Sequence, residues 1–286
     1  MRSRLALALT LLAVGACTAP TGDEPSTTTV AITTTSTAAP DAPVCLAGEL
    51  PFVGEGVIAA LDSPDQDAHA IGGVRWFPYD GCERVELSFL SPLGSPASGI
   101  GPIGVTALPE SGIVRVSFSE QVADSAVSDT MLEGDFVGSW HVVEGLGEGL
   151  TVDFHLNSPA DARAFTADSP ARLIVDFRPA ETDRVPVMTV AGGGVVVLSP
   201  QPGVGLYPLQ VTGYADPDTA AVRMQLWDET GIVIDRSLST LSPVYVWHAF
   251  NATVNDGPSG LVRLFVGSVD GDGTPVSGVD VELDLP

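Results

Sequence analysis

The stretch Arg172-Leu173-Ile174-Val175-Asp176-Phe177-Arg178 alternates apolar and polar residues, with Ile174 as the apolar exception on its polar side. Because successive side chains of a β-strand point to opposite faces, this period of two predicts a strand with one buried face. The same period recurs in Arg84–Leu90, Val114–Phe118 and Val152–Asn157. Half-buried strands of this kind are typical of antiparallel sheets, so the predicted fold class is all-β.

The region around these strands has the organisation of a β-sandwich. Clusters of glycine and proline, such as Ser91–Pro96, separate the strand-like segments and predict turns. Two stretches, Ala123–Leu132 and Pro159–Phe165, have weak helical character. We therefore expect residues 45–184 to form one β-sandwich domain with one or two short helices.

Residues 185–286 predict a second β-sandwich domain. Val185–Thr189 is predicted to be a short hinge, because Pro186 suits a domain boundary. Strand-like segments separated by turn signals then follow, and about seven short strands in roughly 100 residues are typical of an immunoglobulin-like sandwich. The segments are Val195–Leu198, Leu209–Val211, Val222–Trp227, Ile232–Ile234, Val244–Val254, Leu261–Val266 and Val279–Leu283.

The first residues of the chain have the organisation of a secretory signal. Met1–Arg4 is basic, and Leu5–Val14 is apolar except for Thr10. That run is shorter than the ~20 residues of a membrane-spanning helix, but it suits the hydrophobic region of a signal peptide. Gly15-Ala16-Cys17 follows directly, and the whole arrangement resembles the lipobox of bacterial lipoproteins.

The resemblance to a lipobox implies that residues 1–16 are a lipoprotein signal peptide that is cut before Cys17. Cys17 would then carry lipid and anchor the protein in the cell membrane, facing outward. The alternative is an ordinary cleaved signal with a chance cysteine at the cut site. Residues 17–44 are rich in Thr, Ser, Ala and Pro, and they predict a disordered linker because they cannot bury enough apolar surface to fold.

The charge balance excludes one class of partner. The chain has 36 acidic and 12 basic residues, every basic residue is an arginine, and the net charge is -24. Nucleic-acid binding needs a basic face, so no nucleic-acid partner is expected. The same charge argues against bulk attraction to anionic lipid or other polyanions of the envelope.

The two cysteines beyond the lipobox, Cys45 and Cys82, are predicted to form one disulfide, because exported proteins fold in an oxidising compartment. Two cysteines alone do not complete a zinc shell, so no metal and no other cofactor is expected. The segment Asp270-Gly271-Asp272-Gly273 invites a calcium interpretation, but the glycine and glutamate of a calcium loop are missing after it. A hairpin turn is expected there instead.

Four motifs of the first domain resemble the AMIN-like domain (AMIN, amidase N-terminal) of actinobacterial lipoproteins. They are Gly81–Val85, Gly112–Val116, Leu150–Leu156 and Ser169–Phe177. The resemblance implies a β-sandwich that binds or localises to the cell wall.

Four motifs of the second domain resemble the immunoglobulin-like domain of bacterial spore-germination proteins. They are Leu198–Gly203, Pro208–Ala215, Asp228–Gly231 and Trp247–Phe250. The resemblance implies an extracellular interaction module, and no enzymatic role follows from such a fold.

The polar residues of the four alternating strands are the candidate ligand-binding residues. They are Arg84, Arg115, Asp153, His155, Arg172, Asp176 and Arg178. If the four strands share one sheet, these residues form one face whose guanidinium and carboxylate groups could bind peptide carboxylates and sugar hydroxyls of peptidoglycan. The alternative is a solvated sheet face with cross-strand ion pairs.

No catalytic motif accompanies these residues. The sequence has neither a G-x-S-x-G nucleophile elbow nor an H-E-x-x-H motif, and its four histidines are scattered. We therefore assign no catalytic residue and expect a non-catalytic lipoprotein of the cell envelope that binds or localises to peptidoglycan. One alternative is a structural adaptor that binds envelope proteins through its β domains. The other is a hydrolase of wall polymers with an unrecognised site, which a deep pocket of converging carboxylates or histidines would indicate.

Overall fold

A computed structural model describes residues 43–62, 66–146, 149–168, 170–185, 187, 189–219, 221–238 and 245–286. The predicted signal peptide, the predicted lipidation site Cys17 and nearly all of the predicted linker lie outside these residues. Ala42–Pro286 forms one compact unit. In the described part of the chain, no helix is long and apolar enough to cross a membrane.

The described residues form strands without an α-helix, which confirms the predicted all-β class. In the first half the strands are β1 (Gly56–Leu61), β2 (Ala70–Tyr79), β3 (Cys82–Leu90), β4 (Ile103–Leu108), β5 (Ile113–Phe118), β6 (Asp124–Ser125), β7 (Asp129–Met131), β8 (Val137–Glu144), β9 (Leu150–Leu156), β10 (Ala160–Ala167) and β11 (Arg172–Pro179). In the second half they are β12 (Val190–Gly192), β13 (Val195–Ser199), β14 (Gly203–Val204), β15 (Leu209–Ala215), β16 (Val222–Asp228), β17 (Gly231–Leu238), β18 (Trp247–Val254), β19 (Gly260–Val269) and β20 (Pro275–Leu285).

The strands predicted from alternation are all present. The four segments of the first half are β3, β5, β9 and β11, and the seven segments of the second half fall on β13 and β15 to β20. The turn predicted at Asp270 joins β19 to β20, where the Asp270 side chain accepts hydrogen bonds from the backbone amides of Asp272 and Thr274.

The two weak helical stretches are strands or irregular segments, so that expectation is wrong. Pro159–Phe165 lies mostly in β10, which pairs along its whole length with β11. Its helical character came from alanine, but Ala160, Ala162 and Ala164 repeat with period two and pack into the core. Ala123–Leu132 instead contains the short strands β6 and β7. The one described helix is a single 3-10 turn at Pro109–Ser111.

Three sheets make up the fold. One five-stranded sheet has the order β10-β11-β3-β2-β6, and a second has the order β14-β20-β19-β16-β17. A ten-stranded sheet has the order β1-β4-β5-β9-β8-β18-β15-β13-β12, with β7 paired to β8 off this path. We call this ten-stranded sheet the long sheet.

Each five-stranded sheet contributes to a hydrophobic core of its own. The first core combines residues such as Leu87 and Leu173 with Val152 and Phe154 of the long sheet. The second core combines residues such as Leu226, Val281 and Leu283 with β13, β15 and β18 of the long sheet. Burying these apolar sets supplies the main favourable term of folding, at roughly 25 cal/mol per Å² of apolar surface.

The long sheet crosses the boundary predicted at residues 184 and 185. Strand β8 of the first half pairs in parallel with β18 of the second half, with Trp247 opposite Val143 and His248 opposite Glu144. Val246 from the second half also packs into the first core. The division into two domains therefore stays a prediction, while the strands on either side of it hydrogen-bond directly to each other.

Candidate ligand-binding site

The candidate residues taken from the four alternating strands do not share one face, so the expectation of a single arginine-bearing face is wrong. Strands β3 and β11 belong to a five-stranded sheet, whereas β5 and β9 belong to the long sheet. The alternation fixes which side of its own strand a residue occupies, but it carries no information on which strands pair. Some of the candidates belong to two polar clusters, and the others form separate ion pairs.

The first cluster surrounds the fully buried carboxylate of Asp176. Arg84 donates from Nε to Oδ1 over 2.7 Å and from a terminal nitrogen to Oδ2 over 3.0 Å. Arg163 donates to Oδ2 from Nε over 3.1 Å and from a terminal nitrogen over 3.0 Å. The hydrogen bonds to Asp176 are the largest cause of the raised pKa of Arg84. Two guanidinium groups therefore satisfy one buried carboxylate.

The same cluster holds the beginning of the described chain against the sheet. Arg163 also donates to the backbone carbonyls of Cys45 and Ala47. Phe52 packs under the guanidinium of Arg163 at 4.8 Å from the ring centroid. A disulfide joins Cys45 to Cys82 at the start of β3, as the sequence predicts. We call Arg84, Arg163 and Asp176 the arginine cluster.

The remaining arginines among the candidates are also paired with carboxylates. Arg115 makes two bonds of 2.7 Å to the fully buried Asp153. Arg172 lies 3.3 Å from Glu86 across the strands. Arg178 pairs with Glu181. The pairs of Arg115 and Arg172 are the cross-strand ion pairs considered as the alternative, whereas the pair of Arg178 with Glu181 is local in the sequence. A role of these arginines in ligand binding stays a prediction.

The second cluster lies on the face of the long sheet that holds Asp153 and His155. His141 of β8 packs edge-to-face against His155 of β9, with ring centroids 4.9 Å apart. Trp247 of β18 lies 4.5 Å from the His141 ring, and Tyr214 of β15 lies 5.5 Å from it. The parallel pairing of β8 with β18 is what brings the rings of the two halves together. We call these four residues the ring cluster.

Hydrogen bonds satisfy most of the polar atoms of the ring cluster. Nδ1 of His155 bonds to the hydroxyl of Thr189 over 2.8 Å, and its Nε2 bonds to the hydroxyl of Tyr214. Trp247 donates from Nε1 to a carboxylate oxygen of Asp129 over 3.0 Å. Nδ1 of His141 is buried and has no hydrogen-bond partner among the described residues. A buried polar group without a hydrogen bond lowers the stability of the fold, and a bound ligand is one source of the missing hydrogen bond.

The ring cluster is uncharged at neutral pH. Burial lowers the pKa of His141 to about 3, and the neighbouring His155 lowers it further as a second cause. Burial lowers the pKa of His155 to about 4, and the positive charge of Arg115 contributes. Burial also raises the pKa of Tyr214 well above its usual value. The rings therefore act as neutral donors and acceptors, not as ions.

A cleft of about 400 Å³ opens beside the ring cluster. We call it the histidine cleft, and its lining consists of Asp129, Met131, Gly138, Ser139, His141, His155, Leu156, Asn157, Thr189, Ala191, Gly192, Gly194, Val195, Val196 and Trp247. Strand β7 supplies Asp129 and the exposed side chain of Met131, and β18 supplies Trp247. The predicted hinge, β12, β13 and the turn between these two strands supply the lining residues from Thr189 to Val196. The volume lies within the range of about 300–1,000 Å³ that is usual for small-molecule sites.

The lining brings together two histidines, the carboxylate of Asp129 and the hydroxyls of Ser139 and Thr189, which are groups that the hydrolase alternative would use. Within the described ranges, no group of three or more His, Cys, Asp or Glu is placed to hold a metal ion. The hydroxyl of Thr189 on Nδ1 of His155 is a possible nucleophile and base pair by distance alone. With a pKa of about 4, however, His155 is a weak base at neutral pH.

Sequence analysis found one member of the ring cluster, His155, and missed His141, Tyr214 and Trp247. His141 and His155 are far apart in the sequence, so the sequence did not indicate that they form a pair. They come together because β8 and β9 are antiparallel neighbours. One signal was present, because Trp140 and Val142 alternate with Ser139 and His141 in β8. Nothing in the sequence indicated that β8 pairs with β18.

Comparison with known proteins finds no family model, no curated protein and no solved structure that matches this chain. The resemblances to the AMIN-like domain and to the spore-germination immunoglobulin-like domain therefore stay predictions from sequence motifs. The case for a function depends on the geometry of the histidine cleft and on the sequence features of the chain.

Proposed function

We propose that this protein is a non-catalytic lipoprotein of the cell envelope that binds peptidoglycan in the histidine cleft. Lipid on Cys17 anchors it on the outer side of the cell membrane, and the linker of residues 17–44 lets the folded unit reach the wall. The lipobox-like sequence supports the location, and the AMIN-like motifs support the ligand.

One observation carries the binding proposal, namely an open cleft lined by His141, a residue whose ring nitrogen Nδ1 is buried and has no partner among the described residues. Folded proteins satisfy nearly all buried polar groups, so an unsatisfied group beside a cleft favours a binding site. The arginine cluster offers no such group, because its carboxylate is already bonded to both arginines. We therefore assign the ligand contact to the ring cluster and not to the arginine cluster.

Co-sedimentation of the purified full chain with peptidoglycan tests the proposal. We expect saturable binding that weakens when His141 is replaced by Phe, since phenylalanine keeps a ring in the cluster and removes both nitrogens. The matched control is Leu93→Ala, a change at a fully exposed loop residue that does not line the cleft. Absence of any binding would contradict the proposal and favour a structural adaptor, for which envelope proteins captured by the same chain are the next ligands to test.

One contact favours a second candidate, a hydrolase of wall polymers. The hydroxyl of Thr189 bonds to a ring nitrogen of His155 inside the cleft, as a nucleophile bonds to its base. Release of soluble fragments from peptidoglycan by the wild-type chain, and its loss in Thr189→Val, would support this candidate over the binding protein. The lowered pKa of His155 argues against it, because a base with a pKa of about 4 removes protons poorly at neutral pH.

A further inference from the structure

We infer that the histidine cleft takes an uncharged N-acetylated sugar and excludes the anionic stem peptide of the wall. The inference rests on the proposed function and deepens it by naming the part of the polymer that enters the cleft.

The charge of the lining excludes an anionic ligand. Of the described residues that line the cleft, only Asp129 carries a formal charge at neutral pH, and that charge is negative. Arg115, whose positive charge acts on His155, is already bonded to Asp153 through two hydrogen bonds. An incoming carboxylate or phosphate would therefore meet a like charge without a free cation to balance it, which disfavours binding.

The carboxylate of Asp129 already accepts hydrogen bonds from other residues of the protein. One of its oxygens accepts a hydrogen bond from Trp247 over 3.0 Å, and the other accepts one from Ser128 over 3.0 Å. These bonds reduce the availability of the carboxylate as the partner of an ammonium group. An amino sugar without its acetyl group is nevertheless the competing ligand to be tested.

The rest of the lining combines apolar surface with neutral hydrogen-bonding groups. Met131, which is 80% exposed, lines the cleft, and so does Val196, which packs with Tyr214 and Trp247. His141 and Ser139 add neutral polar groups beside them. An N-acetyl group presents a methyl group and an amide within a few bonds of each other, so it matches apolar and polar groups set side by side.

Titration calorimetry on the full chain in detergent tests the inference with three probes. The first is a trimer of N-acetylglucosamine, the second is the same trimer without its acetyl groups, and the third is a free stem peptide that carries carboxylates. We expect the acetylated trimer to bind, and each of the other two to bind at least about tenfold more weakly. Equal or tighter binding of the deacetylated trimer or the stem peptide would overturn the inference.

Two variants locate the binding in the cleft. His141→Phe is expected to weaken binding of the acetylated trimer by roughly threefold to tenfold, the effect of one hydrogen bond. Asp129→Asn removes the formal charge of the lining and is expected to narrow the preference for the sugar over the stem peptide. A preference that stays the same in Asp129→Asn, or an affinity that stays the same in His141→Phe, would overturn the assignment to this cleft. Leu93→Ala serves as the control for a change of exposed apolar surface.

The two proposals fail in different ways. If the chain sediments with peptidoglycan but binds no acetylated trimer, the sugar assignment is wrong and the binding function stands. If the chain neither sediments with peptidoglycan nor binds the trimer, the proposed function is wrong as well.

Discussion

The arginine cluster and the ring cluster differ in how completely their polar groups are satisfied. Both oxygens of Asp176 accept bonds from Arg84, and one of them also accepts two from Arg163. In the ring cluster, His155 uses both ring nitrogens, but Nδ1 of His141 has no partner among the described residues. The carboxylate of the arginine cluster is fully hydrogen-bonded within the cluster, whereas the ring cluster has an unpartnered nitrogen on a residue that lines an open cleft.

Because the carboxylate of the charged cluster is fully hydrogen-bonded and a nitrogen of the uncharged cluster is not, charge alone does not locate a binding site. The arginines have the chemistry that recognises carboxylates, yet the carboxylates they bind are their own neighbours in the fold. Uncharged rings carry less obvious chemistry, but Nδ1 of His141 is buried without a partner among the described residues, and His141 lines the cleft. Nε of Arg172 and Nε of Arg178 are also buried without a partner among those residues, but neither residue lines the histidine cleft. The comparison predicts that changes in the arginine cluster affect folding, while changes at His141 affect binding.

The largest expected effect comes from breaking the arginine cluster. Asp176→Asn leaves two buried arginines without their anion, which is expected to lower the free energy of unfolding by about 3–5 kcal/mol. Urea unfolding measures the loss. The control is Asp235→Asn, which breaks the more exposed pair with Arg223 and is expected to cost less than about 1 kcal/mol. Equal losses in the two variants would contradict the account of the arginine cluster.

Acid is expected to weaken the ring cluster. The pKa values of His141 and His155 fall from 6.5 in the unfolded chain to about 3 and about 4 in the fold, so the unfolded chain binds more protons between those values. The stability that the neutral rings contribute is therefore complete above pH 6.5 and is lost as the pH falls. At pH 5, each of these two histidines is expected to lower the free energy of unfolding by about 2 kcal/mol relative to its value above pH 6.5.

The variant His141→Phe sharpens this pH prediction. Between about pH 7.5 and 5, His141 and His155 together lower the free energy of unfolding. The variant is expected to remove about half of that joint contribution, because only His155 of the two is left to titrate. Urea unfolding at both pH values checks this. If His141→Phe shows the same loss of stability as the wild type on acidification, His141 is not a buried neutral ring.

A smaller effect separates satisfied from unsatisfied groups inside the ring cluster. Tyr214→Phe removes the hydroxyl that bonds to Nε2 of His155, which leaves a buried nitrogen without a partner and is expected to cost about 1–3 kcal/mol. His141→Phe removes a nitrogen that has no such bond, so at pH 7.5 it is expected to leave the free energy of unfolding unchanged or to raise it. The reverse order of the two variants would mean that the hydrogen bonds are assigned to the wrong ring.

The smallest expected effect is at the exposed pair of Arg172 and Glu86, whose charged atoms lie 3.3 Å apart. Arg172→Ala is expected to change the free energy of unfolding by less than about 1 kcal/mol, because partly exposed ion pairs contribute little. Peptidoglycan binding is expected to be unchanged as well. A marked loss of binding in this variant would restore the arginines as ligand-binding residues.

The sequence predicted the strands better than their arrangement. Alternation found β3, β5, β9 and β11, because burial of one face leaves a period of two in the chain itself. It failed where small residues weakened the pattern, as in the alanines of β10. It also could not predict the pairing of β8 with β18, since contacts between distant strands leave no local period.

The candidate site was less predictable than the fold for the same reason. His155 was among the candidates because its strand alternates clearly, but it was grouped with arginines that lie in another sheet. The ring cluster draws His141, Tyr214 and Trp247 from strands far apart in the sequence, and only their pairing brings the rings within 6 Å of one another. No motif marks such a set in advance.

One pair of measurements on the full-length variant His141→Phe decides whether His141 serves the ligand or the fold. They are its affinity for purified peptidoglycan and its free energy of unfolding. We predict binding roughly threefold to tenfold weaker than that of the wild type, with a fold at least as stable at pH 7.5. Such a result would separate function from folding at a single residue. Unchanged binding, or weaker binding only in proportion to a loss of stability, would contradict the claim that the unused group of the ring cluster serves the ligand.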